Sequence, residues 1–431
     1  MPKRLKAYKI PERLKPEVDR QIQELLRLGF IQEDETPMAS PIVCILKGKD
    51  GKNGVRIAID YRYVNKFTRA DALPLPNPSD ILQKIGNASF ISTFDSTSGY
   101  HQTEVHPDSR WLTGFICDDK LYTWVRTPFG LRNSGATFVR NVQILLQPIK
   151  EFTGSYVDDL AVYSNHWSLH LDHITKFLQA VSDAGMTLNL RKCNFAKPEL
   201  SFVGQIIGSG KRRADPDKVS AVHSMAAPET KKQLRQLLGF FSYFREFIPN
   251  YAELAKPLTD LTAKRVPNVL TNCWKEQHEE AFQTLKDVLI QATDNPLFVA
   301  DFSKPFNVTV DASNHTVAGL LSQYDDEGQD RPIAFASQKL TPTQQAWSTV
   351  EKEAYAVIWA LTKYRHWLFA NEVVVFSDNN PLVFLTESVP KAPKLMRWAL
   401  ALQQFNCTFK YEVGRTNVVA DCLSRPVSIR E

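Results

Sequence analysis

Two adjacent aspartates, Asp158 and Asp159, stand between Tyr156-Val157 and the apolar run Leu160-Ala161-Val162-Tyr163, with Gly154-Ser155 ahead. The pattern reads as strand, tight acidic turn, strand. An isolated Asp-Asp pair is usually a surface turn, because Asp side chains bond their own backbone and tolerate turn geometry. Here the apolar flanks make the turn cap a buried hairpin, and a third carboxylate, Asp95, ends the run Phe90-Ile91-Ser92-Thr93-Phe94. Magnesium prefers a few carboxylates plus substrate phosphates over a full protein cage, which this set supplies. Two such ions roughly 3.5–4 Å apart promote phosphoryl transfer, one lowering the pKa of an attacking hydroxyl and one clamping the phosphates.

The chain has 431 residues, enough for more than one core. Its 43% hydrophobic and 23% charged residues exclude a largely disordered polymer. A net charge of +5 permits a nucleic-acid partner without demanding one. Six scattered cysteines with no Cys-x-x-Cys suggest neither a zinc ribbon nor a disulfide framework, and fit a reducing compartment. No apolar run reaches transmembrane length, so a soluble intracellular protein is expected. His170-x-x-His173 with Cys193 has metal-like spacing but lacks a fourth ligand, and helix-face histidines are commoner.

The elements that must position these acids follow from periodicity. Leu14 to Phe30 places Val18, Ile22, Leu25 and Leu26 on one helical face, with Gly29 suited to the cap. Ile42–Leu46 and Val55–Ile59 read as strands joined by a hairpin at Asp50-Gly51. Residues 73–78 are a proline-rich connector, and a mixed α/β region runs to about 208. Thr230 to Phe247 and Glu276 to Ile290 are amphipathic helical patterns. From Phe306 the pattern becomes three short strands, a long helix over 344–364, a strand Val373–Ser377, and further elements to the end. Asp294-Asn295-Pro296 marks the border of this α/β module.

Tyr-Val-Asp-Asp, with Phe94-Asp95 and Gly99-Tyr100-His101-Gln102 upstream, resembles reverse transcriptase, specifically the gypsy-type long-terminal-repeat retrotransposon polymerases and their retroviral and plant pararetroviral relatives. The agreement continues in chain order. Ile59–Lys66 resembles the fingers motif, and Thr127–Ser134 the loop under the templating base. Leu190–Phe195 and Phe202-Val203-Gly204 resemble the lysine motif and primer grip, and Leu238–Ile248 the thumb helix. The resemblance covers nearly the whole chain.

It implies roles residue by residue. Asp95, Asp158 and Asp159 would be catalytic metal ligands. Lys49 and Arg56 would close on the triphosphate, for which their charge is suited. Tyr100 would be the steric gate against a 2′-hydroxyl, Phe129 and Gly130 the pocket floor, and Lys192 a proton donor to pyrophosphate. Phe202, Val203 and Gly204 would be the primer grip. Phe129 stands where retroviral enzymes carry glutamine, and Ser96 where an apolar residue usually follows the first catalytic Asp.

Downstream, Asp311 ends Val308-Thr309-Val310, Glu353 lies on the long helix, Asp378 follows Val373–Ser377, and Asp421 opens the last helix. Alone, each reads as a cap or surface charge. Together they resemble the Asp-Glu-Asp-Asp metal set of ribonuclease H, with Glu353 preferred over Glu351 by its spacing to Ala356 and Leu361. No histidine lies between Tyr411 and Asp421, unlike retroviral ribonucleases H.

The expected fold is thus an α+β polymerase right hand of fingers, palm and thumb, followed by an α/β ribonuclease H-like domain, without a full connection subdomain. The expected boundaries are 1–208 for fingers and palm (fingers mainly 1–70 and about 103–130), 209–262 for the thumb, 263–296 for a tether and 297–431 for the nuclease. The resemblance implies two Mg²⁺ per active site, with Mn²⁺ as the alternative ion. It implies RNA template, DNA primer, RNA–DNA hybrid and dNTPs as partners, no membrane, and a monomer or substrate-induced homodimer. The expected location is cytoplasmic virus-like particles or the nucleus. A silent nucleic-acid-binding descendant is the competing class, yet all seven acids remain. The absence of protease and integrase signatures suggests a mature or excised portion of a polyprotein.

Overall fold

In a computed structural model, residues 3–46, 54–74, 77–377 and 393–411 are described. The chain divides into two units, Met1–Val203 and Gly204–Glu431.

In the first unit, helix α1 (Lys15–Arg27) buries Val18 and Ile22. It ends through Gly29 at φ +68°, where the Phe30 N–H bonds the Leu25 carbonyl at 2.9 Å. Strands β1 (Ile31–Glu33), β2 (Ser40–Leu46) and β3 (Val55–Ile59) are followed by helices α2 (Arg62–Phe67) and α3 (Pro78–Gly86). Next come β4 (Phe90–Asp95), β5 (Phe115–Cys117) and β6 (Lys120–Trp124). One sheet has the order β1-β6-β5-β2-β3. Its β2–β3 hairpin pairs Ile42 with Ile59 and Leu46 with Val55, as the sequence pattern requires. The Asp50-Gly51 tip and Lys49 lie outside the described residues.

Helix α4 (Ser134–Leu146) precedes β7 (Thr153–Tyr156), β8 (Asp159–Ser164), α5 (Trp167–Asp183), β9 (Asn194–Lys197) and β10 (Glu199–Phe202). A second sheet has the order β7-β8-β4-β9. Phe94, Leu160 and Val162 from its central strands pack with Phe138 and Val142 of α4 and Phe177 of α5. Each such burial stabilises by roughly 1.5–3 kcal/mol. This core holds the strands whose ends carry the acids.

The second unit begins with β11 (Gln205–Gly208), β12 (Lys211–Ala214) and α6 (Pro216–His223). Helix α7 (Lys231–Tyr243) starts in a capping box between Thr230 and Gln233. It stops earlier than periodicity suggests, giving way to a 3-10 turn over Arg245–Phe247. Helices α8 (Tyr251–Leu254), α9 (Lys256–Asp260) and α10 (Glu276–Gln291) and strand β13 (Leu297–Phe298) follow. Residues 263–296, expected as a tether, include α10, whose Phe282, Leu285 and Leu289 share a core with Leu234 and Phe241 of α7.

The last part comprises β14 (Phe306–Ala312), β15 (Thr316–Tyr324), β16 (Asp330–Lys339), α11 (Pro342–Gln345), α12 (Thr349–Lys363), α13 (Arg365–Leu368), β17 (Glu372–Ser377), α14 (Pro393–Leu402) and β18 (Asn406–Tyr411). The sheet order is β16-β15-β14-β17-β18, with β17 parallel to both neighbours. The first three strands have 7, 9 and 10 residues, longer than the short strands expected. The single long helix expected over 344–364 is instead α11 and α12, because Ser348 caps a new helix.

Edge strand β16 is not bare. Arg212 Nη2 donates to the Ile333 carbonyl at 2.8 Å, and Arg245 Nη2 to the Ser337 carbonyl at 2.7 Å. The Ala252 N–H bonds Ser337 Oγ at 2.8 Å. Strand β12, the Arg245–Phe247 turn and helix α8 therefore pack directly on this sheet within the unit. Among the described residues, no helix is long and apolar enough to cross a membrane.

Candidate active site

Tyr156 and Asp159 are cross-strand partners, so β7 and β8 are joined by the two-residue loop Val157-Asp158. Tight hairpins require φ > 0 at the first loop position, and Val157 sits at φ +55°. A β-branched residue there costs about 1–2 kcal/mol, which the flanking buried strands impose. Across the β4–β8 ladder, Asp95 is the register partner of Asp159. The hairpin thus gathers the expected carboxylates at one sheet end, with Asp158 exposed and Asp95 and Asp159 half-buried.

Burial, then the charges of Asp158 and Asp95, push the Asp159 carboxyl above its ordinary value, and Lys192 opposes them. Lys192 Nζ lies 3.3 Å from Asp95 Oδ2. Among the described residues, no three acidic, histidine or cysteine side chains form a ready-made cage. An all-carboxylate set whose members repel one another fits a hard divalent cation shared with substrate phosphates.

The backbone behind Asp95 is pinned from a segment that sequence reasoning passed over. The Asn189 N–H bonds the Asp95 carbonyl at 2.8 Å, and the Thr97 N–H bonds the Thr187 carbonyl at 3.1 Å. Gln102 ties the two segments together: Nε2 donates to the Thr97 and Thr187 carbonyls at 2.7 and 3.0 Å, and Oε1 accepts from the Thr187 N–H at 2.9 Å. The Tyr-His-Gln triplet was the available signal, read only as a motif. Ser96 pairs with Leu188, and its buried hydroxyl has no hydrogen-bond partner among the described residues.

Tyr100 lies in a 3-10 turn, Gly99–Gln102, entered through Ser98 at φ +47°. Its ring is 4.9 Å from that of Phe129 and 5.7 Å from that of Phe138. Burial and then Asp158 raise its hydroxyl above the ordinary value. Arg56 Cζ sits 4.8 Å from the Phe129 ring centroid. Gly130 adopts φ +94°, and its carbonyl accepts from Asn65 Nδ2 at 2.9 Å. Arg56, Tyr100, Phe129 and Gly130 are thereby brought to one locality. Phe202 is buried, Val203 has φ +47° and Gly204 φ +70°.

The histidine pair on α5 is occupied structurally. His170 Nε2 is 2.8 Å from Ser92 Oγ, and its Nδ1 is 3.0 Å from Ser164 Oγ. Ser164 Oγ also lies 2.8 Å from His173 Nδ1, and His173 stacks on Phe152. Cys193 Sγ donates to the Asn189 carbonyl.

In the second unit, Asp311 is the penultimate residue of β14, against which α12 packs. Glu353 is 5% exposed on that helix. Glu351 is committed to the helix N-terminus, where its side chain accepts from the Ser348 N–H at 3.0 Å. Capping thus separates the two glutamates that spacing alone had to choose between. Asp378 and Asp421 lie outside the described residues.

A polymerase-type palm hairpin and a mixed sheet with acids on a strand and a packed helix define a two-domain class: a polymerase domain followed by a ribonuclease H-like domain. The model for reverse transcriptase (RNA-dependent DNA polymerase) matches residues 45–207, and that for the RNase H-like domain found in reverse transcriptase matches 301–405. The chain belongs to the reverse transcriptase–ribonuclease H family found in the Pol polyproteins of gypsy-type long-terminal-repeat retrotransposons. It is 36% identical to the retrovirus-related Pol polyprotein from transposon opus of Drosophila melanogaster, over 97% of this chain and 43% of that protein. It is 34% identical to that of transposon gypsy of the same organism, over 95% of this chain and 40% of that protein. The chain therefore spans about two fifths of the length of these relatives.

Among the solved structures similar to this chain are two of the foamy viral protease-reverse transcriptase. One is the foamy viral protease-reverse transcriptase dRH in complex with dsDNA, with a TM-score of 0.83 and 28% identity over 96% of this chain and 72% of that one. The other is the foamy viral protease-reverse transcriptase in complex with RNA/DNA hybrid, with a TM-score of 0.77 and 27% identity over 100% of this chain and 57% of that one.

Proposed function

We propose that this chain is a reverse transcriptase: an RNA- and DNA-directed DNA polymerase that also cleaves RNA in RNA–DNA hybrids during retrotransposon replication. The observation that carries the reading is the register of Asp95 opposite Asp159, with Asp158 at the tip of the same hairpin. Asp95, Asp158 and Asp159 hold one pair of Mg²⁺ ions, and Asp311, Glu353, Asp378 and Asp421 hold another, with Mn²⁺ as the alternative. Bound divalent ions supply a lowered pKa for the attacking hydroxyl or water and neutralise phosphate charge.

The chain's own groups orient the substrate. Arg56, with Lys49, pairs with the triphosphate, and Phe129 and Gly130 floor the pocket. Tyr100 excludes the 2′-hydroxyl by bulk. Lys192 gives a proton to pyrophosphate, a role that its place 3.3 Å from Asp95 Oδ2 supports. Phe202, Val203 and Gly204 hold the primer end. The domains follow as fingers and palm over 1–208, thumb over 209–262, a linking segment over 263–296 and nuclease over 297–431.

Template RNA, primer DNA, hybrid and dNTPs are the substrates, and contacts run to phosphates and groove shape because every sequence must be accepted. The nucleic acids bound to the two foamy viral neighbours support this choice. The chain acts in cytoplasmic virus-like particles or the nucleus, as a monomer or a substrate-induced homodimer. Without a histidine ahead of Asp421, ribonuclease product release is expected to differ from that of retroviral enzymes.

The test is primer extension with Mg²⁺ on an end-labelled RNA–DNA hybrid, scoring both strands. Asp158→Asn should lower extension by at least on the order of 10²-fold while leaving hybrid cleavage, and Glu353→Gln should do the reverse. Extension retained in Asp158→Asn would overturn the polymerase assignment.

A further inference from the structure

The turn that presents Tyr100 also presents His101, which the chemistry above does not use. The half-buried His101 ring stacks on Trp124, with centroids 5.1 Å apart and planes 9° apart. It meets Phe129 edge-on at 5.1 Å and 87°, and Phe30 at 5.3 Å. Its Nδ1 lies 3.0 Å from the Thr127 carbonyl. A carbonyl oxygen can only accept, so Nδ1 is the protonated nitrogen of the ring. His101 therefore grips the loop two residues before Phe129 and also touches Phe129 itself.

Phe129 is in turn the shared contact of Tyr100, at 4.9 Å, and of the Arg56 guanidinium, at 4.8 Å. Phe129 is 39% exposed as a residue, so surrounding packing alone does not lock it. A cavity of about 250 Å³, lined by Arg56, Ile57, Ile59, His101, Trp124 and Phe129, lies alongside. Cutting His101 back would enlarge that space and leave the Phe129 ring free to turn into it. Arg56 would lose the face it rests on, and with it the orientation suited to a triphosphate.

We propose that His101 is a positioning residue of the nucleotide pocket, fixing Phe129 and, through it, the reach of Arg56, without touching substrate. The proposal rests on the polymerase reading of Asp95, Asp158 and Asp159. A residue acting in this way tunes nucleotide binding more than the chemical step, so its signature is a split between KM and kcat.

The experiment is steady-state single-nucleotide incorporation with Mg²⁺ on a DNA-primed RNA template. Incorporation by the unaltered chain tests the polymerase reading separately. Given that activity, His101→Ala should raise the dNTP KM on the order of 10-fold while kcat stays within about 3-fold. His101→Phe keeps the ring contacts but loses the Thr127 bond, and should recover most of that KM; it also serves if the alanine variant folds poorly. In an Arg56→Ala background, either change at His101 should add less than about 2-fold, because both act through one contact. An unchanged KM, a loss confined to kcat, or full additivity with Arg56→Ala would overturn the proposal.

Discussion

Asp159 faces Asp95 directly across the β4–β8 ladder, and the turn that delivers its neighbour Asp158 is held by Val157 in the left-handed region. Asp158 and the strained Val157 make up one two-residue loop, and Asp159 follows it directly, so altering the strain tests how these two acids are aimed. Val157→Gly removes a penalty of about 1–2 kcal/mol and adds back about 0.5–1 kcal/mol of chain entropy. The variant should gain about 0.5–1 kcal/mol in denaturant titration while kcat for extension falls on the order of 10-fold, because the loop is no longer confined to one geometry. Unchanged kcat would mean that Val157 does not help aim the acids.

Tyr100 packs between Phe129 and Phe138, which fixes the ring as a wall. Tyr100→Ala should reduce discrimination against ribonucleotides by on the order of 10–10²-fold. Competition between dNTP and rNTP in single-nucleotide extension measures this. Unaltered selectivity would place the gate elsewhere.

His170 lies against strands β4 and β8, bonded to Ser92 and Ser164, and burial followed by the nearby His173 holds its ring below the ordinary histidine value. The unfolded chain therefore takes up this proton first. The contribution to stability is complete above about pH 6.5 and is lost as pH falls toward the folded value. Melting temperature should drop between pH 7.5 and 5.5, and His170→Asn should flatten that slope. An identical slope in the variant would remove His170 as its source.

Arg212 is 6% exposed, donates to the Ile333 carbonyl and pairs with Glu246 at 2.8 Å. Arg212→Ala strands an acid and a carbonyl together and should cost about 2–4 kcal/mol in denaturant unfolding. Arg212→Lys should recover only part, because one ammonium cannot reproduce the planar fork.

The carboxylate hairpin was legible in the sequence because adjacency and apolar flanks are local properties. The β2–β3 hairpin and α10 were legible for the same reason. The ties that hold the site are not local. Gln102 reaches Thr187 across 85 positions, and Arg212 reaches Ile333 across 121. Such side chain-to-backbone bonds leave no periodic trace, so Arg212 reads as one more charge in Lys211-Arg212-Arg213 although it is buried. Spacing already favours Glu353 over Glu351; what the sequence does not display is that Glu351 closes a capping box with Ser348, which appears only when the helix is seen to begin there. His101 was visible only as a letter in a motif, because its partners Trp124, Thr127 and Phe129 lie on a later loop and strand.

The arginines that close the outer edge of β16 have a consequence for modularity. A C-terminal fragment cut out near residue 297 would carry a 10-residue edge strand stripped of Arg212, Arg245 and helix α8, open to pairing with other copies. The C-terminal sheet is thus not a detachable cassette. Shuffling it between relatives, or expressing it alone, must carry β12, the Arg245–Phe247 turn and α8 along with it.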